Sequence, residues 1–470
     1  MTGDELLLLD GRTGAKRDLV GGKAFGIERM LQLGLPVPPA FVLTTEACRR
    51  YLASRRLPDS MWGQVRELIG ELMRSTGLGF GDDHAPLLVS VRSGASVSMP
   101  GMMDTVLNLG APSHAGDTRS RFEVQFAKVV ARSAPSDPWE QLRLAIGAVF
   151  ESWYSRRAVA YRREHGIPDE SGTAVTVQAM VFGDRDDRSG TGVLFSRDPV
   201  TGAPEPYGEW LPRAQGEDVV SGRLDARPLT ALAALLPDVH RDLLMAADLL
   251  EQDGRDVQDI EFTVESSRLW LLQTRAAKRS PEAAIRHAVR MVTEGLISRR
   301  EALDRITPAQ IEAFLRPRGE FPRDAVVLAR GKPASPGIGV GEVVCDVEEA
   351  LDRTTPMVLV RPTTDPDDTP AMALATAVVT EYGGSTSHAA VVCREMAVPC
   401  VVGCGEGTLR ALSGRTVTVD GFTGTIYAGA PHMAAAGDGH DPDLATLLVW
   451  ARAEPGASAS ALLPELIRDR

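Results

Sequence analysis

The chain has 470 residues, 43% hydrophobic and 24% charged, an ordinary globular composition long enough for two to four domains and unlike that of a disordered chain. A formal net charge of −12 excludes a general nucleic-acid binder, since phosphate neutralisation needs a lysine and arginine excess, but it leaves room for a nucleotide site built from a few local cations. No apolar run approaches the roughly 20 residues that span a bilayer, and the opening MTGDELLLLDG lacks the basic segment and cleavage site of a secretion signal. The five cysteines, Cys48, Cys345, Cys393, Cys400 and Cys404, complete no zinc pattern. They read as thiols in a reducing compartment, so the expectation is a cytoplasmic protein with no membrane partner.

In chain order, residues 5–9 read as an opening strand. Val20-Gly21-Gly22-Lys23 leads into a helical stretch over residues 24–33, which Gly34 closes as a C-cap. A Gly-Gly-Lys turn at a helix start brings backbone N–H groups and the Lys23 ammonium to a phosphate; a solvated lysine is the plainer alternative. Residues 87–91 are strand-like and run into Arg92, beside Ser93-Gly94. An arginine ending a buried strand must be paired, and its planar fork suits phosphate oxygens as well as a structural carboxylate. Residues 111–170 form polar, alanine-rich helical stretches such as 139–161 and suggest no chemistry.

Residues 175–180 read as a strand, and Ser189-Gly190-Thr191-Gly192 as a flexible turn feeding a strand over 193–195. Such a turn is either a plain hairpin or a loop that closes on phosphates through its N–H groups. Gln215 lies in the segment 214–220 that follows. The run DVQDIEFTVESSRLWLLQTR predicts two strands, 258–264 and 269–274, around a Glu-Ser-Ser-Arg turn. Side chains alternate along a strand, so Asp259, Glu261 and Thr263 share one face, and Gln273 and Arg275 share another. If the register aligns these faces, two carboxylates and an amide oxygen sit beside a guanidinium, and magnesium takes oxygen donors of this kind. Residues 281–315 are amphipathic helices without chemistry and read, to residue 322, as a linker between domains ending in a hinge at Arg316-Pro317-Arg318-Gly319.

From residue 323 short strands, turns and one or two helices predict a compact α/β domain. Residues 376–380 are β-rich and meet Gly383-Gly384, then Ser385-Thr386-Ser387, His388 and an apolar helical stretch over 389–396. Gly-Gly permits a sharp turn, and Ser385, Thr386 or Ser387 is placed to cap the helix. His388 then stands at a helix start, where free N–H groups and the dipole favour an anion. A neutral imidazole there can carry a phosphoryl group; a packed or capping histidine is the alternative. Residues 431–470 are Ala/Gly/Pro-rich, with a possible final helix over 461–467 and no assigned role.

The string GGSTSHAAVV around His388 resembles the phosphohistidine signature of the pyruvate phosphate dikinase and phosphoenolpyruvate synthase families. VGGKAFGIERMLQLGLPVPPAFVLTTEAC resembles the start of the ATP-grasp-type domain of the dikinases, and LLVSVRSGASVSMPGMMDTVLNL their segment with a phosphate-contacting arginine. The resemblance covers roughly residues 5–430, with 111–170 markedly shortened. It implies an α/β (α+β) architecture: an ATP-grasp-type nucleotide-binding domain over 1–280, the helical linker over 281–322 and a swivelling phosphohistidine domain over 323–430. By the resemblance His388 is the phosphoryl carrier, and Lys23 and Arg92 contact ATP. Ser189, Gly190, Thr191 and Gly192 form a phosphate-covering loop, and Gln215 lies near the nucleotide. Glu261 and Gln273 hold Mg2+, Arg275 contacts phosphate, and Asp259 belongs to the same polar cluster. Thr386 occupies the position that certain dikinases expose to a regulatory kinase, with helix capping as the alternative.

The reading is an ATP-dependent phosphotransferase, with ATP as substrate and a phosphoryl acceptor, a small molecule or a separate protein, that remains unidentified. The dikinases carry a further barrel domain for pyruvate or phosphoenolpyruvate, which this sequence does not reach. A split dikinase with a separate pyruvate-binding subunit and a non-catalytic, regulatory nucleotide binder are the alternatives.

Overall fold

The structure, a computed structural model, describes the chain except residues 1–4, 98, 100, 101, 217, 219–225, 316–318, 323, 431–433, 436–440, 455, 458 and 460–470. Two units make up the chain: Met1–Phe182 with Leu269–Arg275, and Gly183–Arg268 with Ala276–Arg470. The expected final helix over 461–467 lies outside the described residues.

The first unit contains β1 (Leu6–Leu9), α1 (Arg17–Gln32), β2 (Ala40–Leu43), α2 (Thr45–Ser54), α3 (Asp59–Thr76), β3 (Val89–Gly94), β4 (Thr105–Leu109), α4 (Gly116–Val130), α5 (Pro138–Glu151), α6 (Arg156–Glu164) and β5 (Ala174–Ala179). The strands form an antiparallel sheet in the order β1-β2-β5-β3-β4. Helix α3 buries Met61, Val65, Ile69 and Leu72, a helical stripe. That stripe joins Phe41, Val89, Val91, Val175 and Val177 of the sheet and Phe122, Ile146 and Phe150 of α4 and α5 in one core. Each such side chain contributes about 1.5–3 kcal/mol when fully buried. The stretch 139–161 is two helices, because the Ser155 side chain caps a new one by accepting from the Ala158 N–H.

Helix α1 breaks at Gly21 (φ 76°, ψ 164°). A Cβ there would lie 1.8 Å from the Gly94 carbonyl oxygen, so only glycine lets α1 meet the end of β3 this closely. The helix ends as expected, with Gly34 at φ 72° and the Leu35 N–H donating to the Met30 carbonyl.

In the second unit β6 (Gly190–Phe195), β7 (Tyr207–Pro212) and β8 (Arg227–Pro228) precede α7 (Leu229–Leu235), α8 (Pro237–Gly254) and β9 (Gln258–Glu265). Their sheet runs β9-β6-β7-β8, antiparallel throughout. A turn at Ser266 and Ser267, both at positive φ, leads to β10 (Arg268–Ala276). Helices α9 (Pro281–Thr293), α10 (Arg299–Arg305) and α11 (Pro308–Phe314) follow.

Then come β11 (Gly319–Glu320), β12 (Val327–Arg330), β13 (Lys332–Ser335), β14 (Ile338–Val344), α12 (Val347–Asp352), β15 (Met357–Arg361), α13 (Thr369–Leu374), β16 (Ala377–Thr380), α14 (His388–Met396), β17 (Cys400–Val402), α15 (Thr408–Leu412), β18 (Thr416–Asp420), β19 (Thr425–Ala428) and β20 (Ala434–Ala435). Eight of these strands form one sheet, ordered β12-β19-β18-β14-β15-β16-β17-β13, with β14 to β17 parallel. Beyond it, α16 (Pro442–Ala453) buries Leu444, Leu447 and Trp450 in a core shared with α9, α10 and α11. Sequence reading left this helix in an unassigned tail.

Two local readings are corrected. Residues 190–192 are not a flexible turn but the start of β6, hydrogen-bonded to β7 on one side and β9 on the other. The glycines serve packing: a Cβ on Gly190 would meet the Trp210 ring at 2.2 Å, and one on Gly192 the Glu209 carbonyl oxygen at 2.4 Å. Arg92 does not end its strand, for β3 continues to Gly94.

Candidate active site

β16 and β17 are parallel neighbours, so the chain between them must cross back, and α14 makes that crossing. The loop 381–387 turns off the carboxyl end of β16 and delivers His388 to the first position of α14. Gly383 takes φ 117°, a value open only to glycine at little cost. Gly384 is required for space, since a Cβ there would lie 2.1 Å from a Glu209 carboxylate oxygen.

The expected side-chain cap is absent. Ser387 is the N-cap residue without a capping hydrogen bond, and its hydroxyl is buried unpaired. Thr386 instead donates its hydroxyl to Glu209 Oε2 at 2.8 Å, and its N–H points to the same oxygen at 3.4 Å. Glu209 Oε1 accepts from Lys332 Nζ at 3.2 Å. The Ser385 hydroxyl meets the Tyr207 hydroxyl at 2.6 Å. The loop carrying His388 is thus seated on β7, where Glu209 and Tyr207 take the Thr386 and Ser385 hydroxyls away from the helix end.

His388 Nδ1 lies 3.0 Å from the Thr364 hydroxyl, and Nε2 is buried with no partner. When Nδ1 carries the proton and donates to Thr364, the lone pair lies on Nε2. Burial pulls the imidazole pKa from its ordinary 6.5 to about 4, with Asp365 working weakly in the other direction. At neutral pH the His388 imidazole is therefore uncharged. Thr364, Glu209 and Tyr207 were not legible as site residues, because their roles depend on segments distant in sequence.

In the first unit, Lys23 Nζ donates to the Ser93 carbonyl at 2.7 Å, at the place where Gly21 lets α1 touch β3. Arg92 Nη2 donates to Gln273 Oε1 at 2.9 Å. Gln273 is buried and Arg275 half-buried on the same strand. The Leu271 N–H donates to the Pro36 carbonyl and α1 places Gly26 on the Thr274 carbonyl, so Lys23, Arg92, Gln273 and Arg275 belong to one framework.

In the second unit, Asp259 is 3% exposed and Glu261 half-buried on β9, opposite Phe195 and Val193 of β6. Thr191 spends its hydroxyl on the Phe262 carbonyl and Thr263. Ser189 donates to Asp186 and accepts from the Ser266 N–H. Gln215 donates to Asp184 at 2.9 Å; Glu217, Val219 and Val220 of its segment lie outside the described residues. Glu261 carries carboxylate oxygens and Gln273 an amide oxygen, each a hard donor of the kind magnesium takes. Among the described residues no cluster of three His, Cys, Asp or Glu side chains could hold a metal by itself.

The architecture is α/β, with a domain of the ATP-grasp type and a domain of the mobile type that contains His388. The family model described as pyruvate phosphate dikinase, AMP/ATP-binding domain, matches residues 17–71 and 54–230, and that described as PEP-utilising enzyme, mobile domain, matches 354–424. Over these segments the chain is similar to the nucleotide-binding and mobile domains of the pyruvate phosphate dikinases. Pyruvate, phosphate dikinase 1, chloroplastic, of Arabidopsis thaliana is 38% identical over 523 residues, 94% of this chain and 54% of that protein. Pyruvate, phosphate dikinase of Rhizobium meliloti is 39% identical, covering 88% of this chain and 56% of that protein. Pyruvate, phosphate dikinase 2 of Zea mays is 39% identical, covering 92% and 58%. The chain spans about half the length of the curated relatives it matches. Among the described residues no helix is long and apolar enough to cross a membrane.

Proposed function

We propose that the chain is an ATP-dependent phosphotransferase that phosphorylates itself on His388 and passes the group to an acceptor held outside the residues described. The observation that carries this is the uncharged, buried and unpaired Nε2 of His388 at the start of α14. Nε2 attacks the β-phosphorus, the bond from that phosphorus to the oxygen of the α-phosphate breaks, and AMP departs, leaving a pyrophosphoryl group on the imidazole whose γ-phosphoryl is removed in a second step. The family likeness implies that the β-phosphoryl ends on His388, the γ-phosphoryl going to water or inorganic phosphate. Lys23, Arg92 and Arg275 neutralise phosphate charge, which is most of what an enzyme supplies to phosphoryl transfer. Glu261 and Gln273 would hold magnesium, whose charge further screens the phosphates. Asp259 and Gln215 complete the polar surroundings of the nucleotide. Five free cysteines support a cytoplasmic location.

The test is incubation with ATP labelled at the β or γ position. Acid-labile, alkali-stable label from the β position should be retained, AMP should accumulate, and His388→Ala should take none. Retention of neither label, or equal labelling of His388→Ala, sinks the proposal. The purified chain should make no phosphoenolpyruvate from pyruvate; its formation would refute an outside acceptor.

A further inference from the structure

Arg394 has no part in the chemistry above, yet it is a deeply buried charge of the second unit. It lies in the last turn of α14, six residues after His388, and is 2% exposed. Nη1 donates to the Ser385 carbonyl at 2.9 Å and the Ala334 carbonyl at 3.1 Å, while Nε and Nη2 are buried without a partner. The Phe195 ring of β6 covers it, 5.7 Å from the guanidinium carbon to the ring centroid. Burial pushes its pKa down, and Asp259 is the group that most opposes this. A dry guanidinium with orphaned donors is costly compared with an apolar side chain of similar volume. Fold stability alone does not call for a charge here.

What the charge does hold is the middle of the His388 loop. Ser385 and Thr386 are tied outward to Tyr207 and Glu209 of β7. The bond from Arg394 ties the same loop back to the helix it delivers, and the orphaned edge leaves the guanidinium's charge concentrated on those two carbonyls. We propose that Arg394 is a positioning residue for His388: it clamps the Ser385 carbonyl so that Nε2 keeps its attacking geometry, and the clamp is tight when Phe195 covers it. This rests on the phosphotransferase reading given above.

The experiment compares the full chain with Arg394→Met, Arg394→Lys and Phe195→Leu. Amide hydrogen exchange over residues 383–387 reads the loop without any ATP chemistry. Labelling of His388 by ATP reads positioning. Arg394→Met should melt no lower than the parent, exchange faster across the loop, and label about a hundredfold more slowly at saturating ATP, the cost of a misplacement near 1 Å. Its half-saturating ATP should be unchanged. Arg394→Lys, which keeps an N–H donor, should recover part of the rate, and Phe195→Leu should speed loop exchange. Parent-like loop exchange in Arg394→Met overturns the inference, as does a rate loss found wholly in half-saturating ATP. If Arg394→Met does not fold, Arg394→Lys and Phe195→Leu decide by the same loop exchange. Should the parent take no label, the phosphotransferase reading falls while the exchange comparison still judges the clamp.

Discussion

Thr386 shows how one hydroxyl can settle a loop. Its bond to the buried Glu209 seats the His388 loop on β7, so an acidic group at 386 would face a carboxylate held away from water. Two like charges about 4 Å apart repel by about 4 kcal/mol at an effective dielectric of 20. Thr386→Glu should therefore label His388 at least tenfold more slowly than the parent, and Thr386→Val, which loses only a hydrogen bond, should suffer less. Phosphate at 386 would act as Glu does, only more strongly. Full autophosphorylation by Thr386→Glu would show this electrostatic account to be wrong.

Strand β6 carries the clearest lesson about elements. Ser-Gly-Thr-Gly looks supple as a string, but between β7 and β9 the glycines are what a crowded central strand requires. Amides of Gly190–Phe195 should exchange with solvent as slowly as those of the core, and rapid exchange across 190–192 would mean that the segment is a loop after all. Gly192→Ala should cost about 1–3 kcal/mol by overpacking against Phe262 and β7, read as a lower thermal midpoint.

For the whole molecule, two buried histidines set an acid limit. Burial lowers the pKa of His287 to about 3 and that of His388 to about 4, each from an ordinary 6.5. The unfolded chain thus binds more protons below pH 6.5, so stability is fully present above that pH and drains away as pH falls toward 4 and then 3. The thermal midpoint should drop between pH 7 and pH 4.5. His287→Gln, which keeps an N–H donor for the Asp198 carbonyl and cannot ionise, should shrink that drop. An unchanged drop would assign the acid sensitivity to other groups.

The glycine turn before His388, the strands on either side of Ser266-Ser267 and the end of α1 at Gly34 were legible in the chain alone. Each depends on dihedral preferences or side-chain periods that act within a few residues. The same holds for the likeness to the dikinases, carried by long unbroken strings. Tertiary structure decided the rest. Arg92 meets Gln273 across 181 residues and Thr386 meets Glu209 across 177, pairings that no local pattern encodes. The burial that keeps His388 uncharged, the caps that Ser387 and Thr386 do not make, and the place of α16 in the core beside α9 all follow from which distant surface a residue meets. Desolvation and competing hydrogen bonds are properties of the assembled fold, and they outweighed local preference at each of these positions.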